Sequence, residues 1–177
     1  MPNRSLGHFD LIVMGAGSAG ACAAIAAARS GSKVLVIDRL PFIGGTSTAV
    51  LDTFYGFYTP GEKAKKIVGG IPDDVVNGLK KFGSMIERPN TYGAGTGVTY
   101  NAEHLKVVWE SLIIKSGAKI LLHSLLQQVK VLDGRVQELI LATRAGLCSV
   151  TGDFFIDATG DADLSNFAGF GYEKAGE

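Results

Sequence analysis

Residues 9–38 read FDLIVMGAGSAGACAAIAAARSGSKVLVID. The apolar run at 9–14 predicts a buried strand, and the glycine-rich turn at 15–20 leads into an alanine-rich segment that predicts a helix ending at Ser30 and Gly31. The apolar run at 33–37 predicts a second strand, which Asp38 follows. This order of strand, glycine turn, helix and strand is typical of a unit that binds a dinucleotide.

Each glycine of the turn has its own expected use. Gly15 allows a tight turn, Gly17 lets the backbone approach a pyrophosphate, and Gly20 lets the helix pack close to the strand. The helix N-terminus offers N–H groups and the positive end of its dipole to the same phosphates. Asp38 lies eighteen residues after Gly20, near the usual offset of about 20, where a carboxylate accepts hydrogen bonds from ribose hydroxyls. A glycine turn that serves only packing does not account for Asp38.

The composition narrows the classes of function. The chain has 177 residues with 17 Lys and Arg against 17 Asp and Glu, so no overall charge attracts nucleic acid or an anionic membrane, and we expect neither as a partner. The length suits one domain with a sizeable core. The uncharged stretch at 11–28 is mostly glycine and alanine at its centre, which favours strand, turn and helix over a membrane span. We therefore expect a soluble protein.

The sequence contains few side chains that could act as catalytic residues or metal ligands. Cys22 and Cys148 are 126 positions apart, so we expect no metal site, no disulfide and a cytoplasmic location. His8, His104 and His123 are each expected to be structural or exposed, His104 on the exposed edge of a helix. The catalytic residues are therefore unknown from the sequence.

The segment at about 46–100 is expected to be an insertion of helices and loops. Just before and at its start, Gly44, Gly45, Thr46 and Ser47 form a second candidate phosphate-facing turn, with an ordinary loop opening a helix as the alternative. Farther along, Pro72 begins a helix whose apolar stripe is expected to run through Val75, Leu79, Phe82 and Ile86. The residues at 91–99 are expected to form a loop or short hairpin, and Asn101 to cap the next helix.

The last third of the chain predicts more strands. The runs at 125–132, 135–143 and 147–151 are expected to form three antiparallel strands, because Asp133-Gly134 between two such runs is a strong hairpin signal. The run at 153–157 is expected to be a further, separate strand. Its end, Ala158-Thr159-Gly160-Asp161, lies where open α/β sheets bind ligands.

Taken together, these motifs resemble the FAD-dependent oxidoreductases with a glutathione-reductase-like fold. The resemblance rests on the turn at 15–20, Asp38, the turn at 44–46, the three-stranded segment and the turn at 158–161. It implies an α/β fold, a Rossmann-like FAD-binding domain over 1–177 with a parallel sheet and a three-stranded antiparallel β-meander crossover. It also implies FAD as cofactor and a redox enzyme that moves hydride or electrons between a small-molecule substrate and an acceptor.

The resemblance also implies which residues hold the cofactor. Asp38 would bind the adenosine ribose, Arg39 would lie beside the adenine, and Leu126 would meet the adenine through its backbone. The remaining positions would surround the pyrophosphate and ribityl chain: Gly15, Ala16, Gly17, Ser18, Ala19, Gly44, Gly45, Thr46, Ser47, Ala158, Thr159 and Gly160.

Members of this family are considerably longer than 177 residues. The chain ends at Glu177, before the later segment that usually contacts the flavin and before most of the substrate domain. We therefore expect a fragment, a short protein completed by another chain or by a second copy of itself, or incomplete flavin binding. Two alternatives stay open at this point: an NAD(P)-dependent dehydrogenase, and a non-catalytic nucleotide-binding or interaction module that needs a partner chain.

Overall fold

The computed structural model of the chain describes residues 4–50, 53–59, 63–83, 85–88 and 97–173. The chain divides into two compact units, Met1–Ile43 with Ile113–Glu177, and Gly44–Leu112. The arrangement expected from the sequence, one domain over 1–177 with an insertion at about 46–100, stays a prediction. The elements in chain order are β1 (Arg4–Met14), α1 (Ser18–Arg29), β2 (Val34–Ile37), α2 (Thr46–Ala49), β3 (Phe54–Tyr55), α3 (Ile71–Lys81), β4 (Met85–Arg88), β5 (Gly97–Tyr100), α4 (Ala102–Ser116), β6 (Lys119–Leu121), β7 (Leu125–Leu132), β8 (Arg135–Thr143), β9 (Gly146–Asp157) and α5 (Asp163–Phe167).

The first unit is built on a six-stranded sheet in the order β6-β2-β1-β9-β8-β7. Strands β6, β2, β1 and β9 run parallel to one another, whereas β8 pairs antiparallel with β9 and β7 antiparallel with β8. Met14 at the end of β1 is opposite Ile37 on β2 and Asp157 on β9, so all three strands end in the same row. The predicted α/β class, with a mainly parallel sheet and an antiparallel three-stranded segment, is confirmed.

The prediction of two separate strands at 147–151 and 153–157 is wrong, because β9 runs without a break through both. Gly152 at their junction pairs with Phe9 of β1. A Cβ at Gly152 would lie 3.0 Å from Cδ1 of Ile12, so this glycine permits a close approach and does not end the strand. As a result β9 pairs with β8 on one side and β1 on the other, which brings the turn at 158–160 beside the turn at 15–20.

Helix α1 lies close to the sheet because most of its buried residues are glycine or alanine. Ala21, Ala24 and Ile25 are fully buried, and a Cβ at Gly20 would lie 1.9 Å from the carbonyl oxygen of Gly15. The helix ends as predicted, with Ser30 after its last residue and Gly31 at φ 96°. This close packing holds the first turn of α1 against the turn that follows β1.

An apolar core joins strands of the first unit to α5. Its buried members from β1 and β2 include Met14 and Ile37, and the antiparallel strands contribute Leu126 and Leu141. Leu164 of α5 belongs to the same cluster and is 4% exposed. The core therefore fixes α5 near the carboxyl ends of the parallel strands.

The second unit contains a three-stranded antiparallel sheet in the order β3-β5-β4. Helix α3 begins as predicted around Pro72, but the expected stripe through Ile86 is wrong. The helix ends at Lys81, since Gly83 adopts φ 64°, and Ile86 lies in β4 with its side chain exposed. Of the loop or hairpin expected at 91–99, residues 91–96 lie outside the described residues.

Helix α4 begins where the sequence predicts. The Oδ1 atom of Asn101 accepts hydrogen bonds from the N–H groups of Glu103 at 2.9 Å and His104 at 3.2 Å, which confirms the cap. His104 differs from the prediction of an exposed edge: its ring stacks on Phe82 with 4.7 Å between centroids, and its Nδ1 atom is buried. Gly117 follows the helix at φ 93°.

Candidate functional site

Three turns of the first unit meet at the carboxyl edge of its parallel strands. The N–H of Gly15 donates to the carbonyl of Ile37 at 2.7 Å, and the N–H of Ala158 donates to the carbonyl of Met14 at 2.7 Å. The turns after β1 and β9 are therefore neighbours, and Asp38 follows β2 beside them. Open α/β sheets bind ligands at this kind of edge, where the connections from neighbouring strands diverge.

Gly15 occupies a position that a side chain cannot share. Its φ is +100°, and a Cβ there would lie 2.2 Å from the carbonyl oxygen of Ala158. Gly17 precedes α1 in an extended conformation, and no side chain caps the helix. A helix N-terminus presents backbone N–H groups and the positive end of the helix dipole, and both suit an anionic ligand.

Asp38 connects two of these turns. Its Oδ2 atom accepts a hydrogen bond from the N–H of Ala16 at 2.6 Å, and its Oδ1 atom accepts one from the N–H of Leu40 at 2.8 Å. The residue is 7% exposed. A carboxylate oxygen can accept two hydrogen bonds, so each oxygen retains acceptor capacity for a ligand hydroxyl. The sequence predicted Asp38 as a site residue because it follows β2. It did not predict that Asp38 also holds the turn at Ala16 by a hydrogen bond.

Asp157 organises the turn after β9. Its Oδ1 atom accepts hydrogen bonds from the N–H and the hydroxyl of Thr159 at 3.1 and 2.7 Å. Its Oδ2 atom accepts them from the N–H and the hydroxyl of Ser165 at 2.8 and 2.9 Å. The Thr159 hydroxyl in turn accepts a bond from the N–H of Asp163 at 2.9 Å. This carboxylate therefore fixes both the turn and the start of α5.

The environment of Asp157 also sets its charge. Burial favours the neutral carboxyl, but the hydrogen bonds from Ser165 and Thr159 together outweigh it and hold the pKa below its usual range. Asp157 is consequently ionised near neutral pH and acts as a pure acceptor for these four donors. No motif in the sequence analysis assigned a role to this residue.

A pocket of about 320 Å³ lies at this edge. Five residues predicted to bind the cofactor contribute to its wall, namely Gly15, Asp38, Arg39, Leu126 and Thr159. Five others were not predicted: Met14, Leu125, Gln127, Asp163 and Phe167. Leu125 and Gln127 flank a predicted residue on β7. Phe167 comes from α5, and only tertiary packing could reveal its place.

Arg39 and Asp161 form an ion pair at the same edge, with 3.8 Å between Nη2 and Oδ2. Both side chains are mostly exposed, so the pair adds little to stability. It does direct Arg39, which is the only cationic side chain among the described residues of the pocket wall, toward the turn after β9. Gly160 in that turn has φ 87° and nothing within 4 Å of where a Cβ would stand.

The structure brings together the first-unit residues of the predicted cofactor set: Gly15, Ala16, Gly17, Ser18, Ala19, Asp38, Arg39, Leu126, Ala158, Thr159 and Gly160. The other four, Gly44, Gly45, Thr46 and Ser47, belong to the second unit, where they form a tight turn opening the four-residue α2. A Cβ at Gly44 would lie 2.4 Å from Cγ2 of Thr48, and Gly45 adopts φ 56°. The Tyr100 hydroxyl donates to the Ser47 carbonyl at 3.3 Å. Their predicted contact with a cofactor stays a prediction.

His8 and Cys22 are titratable residues that do not line this pocket. Within the described ranges, no three His, Cys, Asp or Glu side chains are grouped so that they could hold a metal ion. His8, in the N-terminal half of β1, contacts Thr151 and Asp153 at 3.1 Å each. Burial raises the pKa of the Cys22 thiol. Among the described residues, no helix combines the length and apolar character needed to cross a membrane.

Comparisons with known proteins concern the family and the fold of the chain. A family model described as FAD dependent oxidoreductase matches residues 10–177. The chain is 38% identical over 80 residues to the fumarate reductase (cytochrome) of Shewanella frigidimarina, an alignment that covers 45% of this chain and 14% of that protein. The chain thus spans only a small part of the length of this curated relative.

Solved structures support the fold. A geranylgeranyl bacteriochlorophyll reductase-like protein of Thermoplasma acidophilum matches with a TM-score of 0.62 and 19% identity, over 93% of this chain and 42% of that one. The p-nitrophenol 4-monooxygenase of Pseudomonas putida matches with a TM-score of 0.63 and 13% identity, over 96% and 45% of the two chains. At such identities the similarity concerns the fold alone.

Proposed function

Since the chain belongs to the FAD-dependent oxidoreductase family, we propose that it is the FAD-binding part of a flavoprotein oxidoreductase and that the first unit holds the ADP half of the cofactor. The family match confirms the predicted family and FAD as its cofactor. It favours FAD over the NAD(P)-dependent alternative. The substrate is proposed only as a small molecule of unidentified structure, and no chemical class is proposed for the acceptor.

The convergence of Gly15, Asp38 and the turn at 158–160 is the observation that carries this proposal. Gly15 has no side chain and its backbone lies against Ala158, which suits close approach by a pyrophosphate. Asp38 retains acceptor capacity for ribose hydroxyls while its bond to Ala16 holds the turn in place. The pocket volume of about 320 Å³ falls at the lower end for ligand sites, so it suits one end of a dinucleotide.

The residues of this chain then bind and orient the cofactor. FAD, when bound, supplies the redox chemistry by accepting a hydride or electrons from a reduced substrate. The N-terminus of α1 stabilises the negative charge of the phosphates, and Asp38 fixes the ribose. Asp157 holds the turn at 158–160 rigid, which lowers the entropy that the site loses on binding.

The remaining predictions of the sequence analysis extend this proposal. Gly44, Gly45, Thr46 and Ser47 are proposed to contact the cofactor through their backbone and hydroxyl groups. A complementing chain, or a second copy of this one, is proposed as a partner. A non-catalytic nucleotide-binding module is the alternative, and reduction of bound flavin by a substrate distinguishes an enzyme from such a module.

The direct test is a visible absorbance spectrum of the purified chain, with mass spectrometry of the molecule that heat releases. We expect flavin bands and FAD, or saturable FAD binding on titration when the purified chain is empty. Asp38→Ala should weaken that binding at least tenfold, since it removes both the ribose acceptor and the bond to Ala16. A chain that neither carries nor binds FAD would contradict the proposal.

A further inference from the structure

Phe167 is an aromatic residue of the pocket wall to which neither the predicted nor the proposed site gives a task. It is the last residue of α5 and is 45% exposed. It lines the same pocket as Asp38 and Arg39, although it is 128 positions away from Arg39 in the sequence. A large apolar side chain left half exposed in a pocket gains free energy when a ligand covers it.

Contacts near the start of α5 set the position of Phe167. At the start, Asp157 accepts hydrogen bonds from the backbone and the hydroxyl of Ser165. Leu164 packs into the core with Leu126, and Phe167 follows it at i+3, on the same side of the helix. Phe167 thus continues the buried face of α5 beyond the core and into the pocket.

We propose that Phe167 forms the base subsite of the pocket, on which the adenine ring of an adenine nucleotide stacks. This inference rests on the proposed FAD site and assigns a residue for its nucleobase end. Asp38 fixes the ribose, and the base is bonded directly to that ribose, so the base falls within the same pocket. Among the described residues that line it, Phe167 is the one with an aromatic side chain.

The other wall residues fit a flat heteroaromatic ring. Leu125 and Leu126 contribute apolar contacts from β7. Arg39 contributes a planar guanidinium, which stacks on aromatic rings and accepts no hydrogen bond. A base among these groups would bury the exposed face of Phe167, and stacking of a base on an aromatic side chain is a major contribution to nucleotide affinity.

The test compares ligands with and without a base on three versions of the full chain: wild type, Phe167→Leu and Phe170→Leu. Phe170 is a matched control, since it is 51% exposed in the same segment and does not line the pocket. Phe167→Leu should weaken FAD and ADP about tenfold in calorimetric titrations and leave ribose 5-phosphate unchanged. Phe170→Leu should change none of these affinities.

A second readout locates the base. In nuclear magnetic resonance spectra of the ADP-saturated chain, we expect Overhauser contacts between adenine protons and one phenylalanine ring, retained in Phe170→Leu and lost in Phe167→Leu. Equal effects of the two substitutions, or unchanged ADP affinity in Phe167→Leu, would overturn the base subsite. In that case a tenfold loss in Asp38→Ala would leave the proposed FAD site intact, whereas no binding of FAD or ADP by wild type would overturn both.

Discussion

Gly15 meets two constraints at once, a backbone angle and a close approach. Its φ of +100° is strained for any residue with a side chain, and the carbonyl oxygen of Ala158 occupies the space of a Cβ. The spacing of glycines predicted the first constraint. The second depends on a segment more than 140 positions away, which the sequence pattern around Gly15 does not contain.

Gly15→Ala should therefore lower the free energy of unfolding by more than the strain of about 1–3 kcal/mol that such a backbone angle costs alone. Gly134→Ala is the control, because Gly134 has φ +71° and nothing within 4 Å of its missing Cβ. Urea unfolding of both variants measures the difference. Equal losses in the two variants would show that the contact with Ala158 is not tight.

Asp157 contributes stability that depends on pH. Its folded-state pKa lies below the unfolded value of about 3.9, so the contribution is present above that value and is lost as the pH falls through the folded pKa. Asp157→Asn should lower the free energy of unfolding by about 1–3 kcal/mol at pH 7 and flatten its decline below about pH 4.

Denaturant unfolding between pH 2 and 7 checks this prediction. Glu110→Gln, at an exposed position of α4, is the control and should leave the profile of the wild type unchanged. An Asp157→Asn variant that declines with acid as steeply as wild type would show that the four hydrogen bonds do not favour the carboxylate.

At the scale of the element, the sequence predicted helices and strands correctly where residues next to them in the sequence determine where they end. The glycine turn, α1 and the Asp133-Gly134 hairpin formed as predicted, because each depends on neighbouring residues. The stripe of α3 through Ile86 failed because Gly83 breaks the helix before that residue. The continuity of β9 could not be predicted, since Gly152 looks like a turn until β1 is known to lie against it.

The cap of α4 gives an element-scale test. Asn101→Ala removes the acceptor for two N–H groups and should cost about 1 kcal/mol of stability. Asn77→Ala, on an exposed position inside α3, is the matched change and should be neutral or slightly stabilising, since alanine is the better helix former. Thermal unfolding monitored by circular dichroism measures both. A loss in Asn77→Ala as large as that in Asn101→Ala would contradict the role of the cap.

At the scale of the whole molecule, the first unit is assembled from two distant parts of the chain, residues 4–43 and 113–173. Each part contains motifs that can be recognised from a short stretch of sequence, and the order of these motifs indicated the family. The pocket forms because β9 pairs with β1 and because Leu164 of α5 packs in the same core as Leu126 of β7. For this reason Gly15 and Asp38 were predictable as site residues, whereas Asp163 and Phe167 were not.

The central claim is that FAD binds at the carboxyl edge of β1, β2 and β9. Hydrogen exchange measured by mass spectrometry, with and without saturating FAD, tests the cofactor and its location together. We predict slower exchange in peptides that contain residues 15–20 and 158–160, with no change around His8 and Thr151 in the N-terminal halves of β1 and β9. FAD binding without protection of both turns, or with protection centred on His8 and Thr151, would contradict the account.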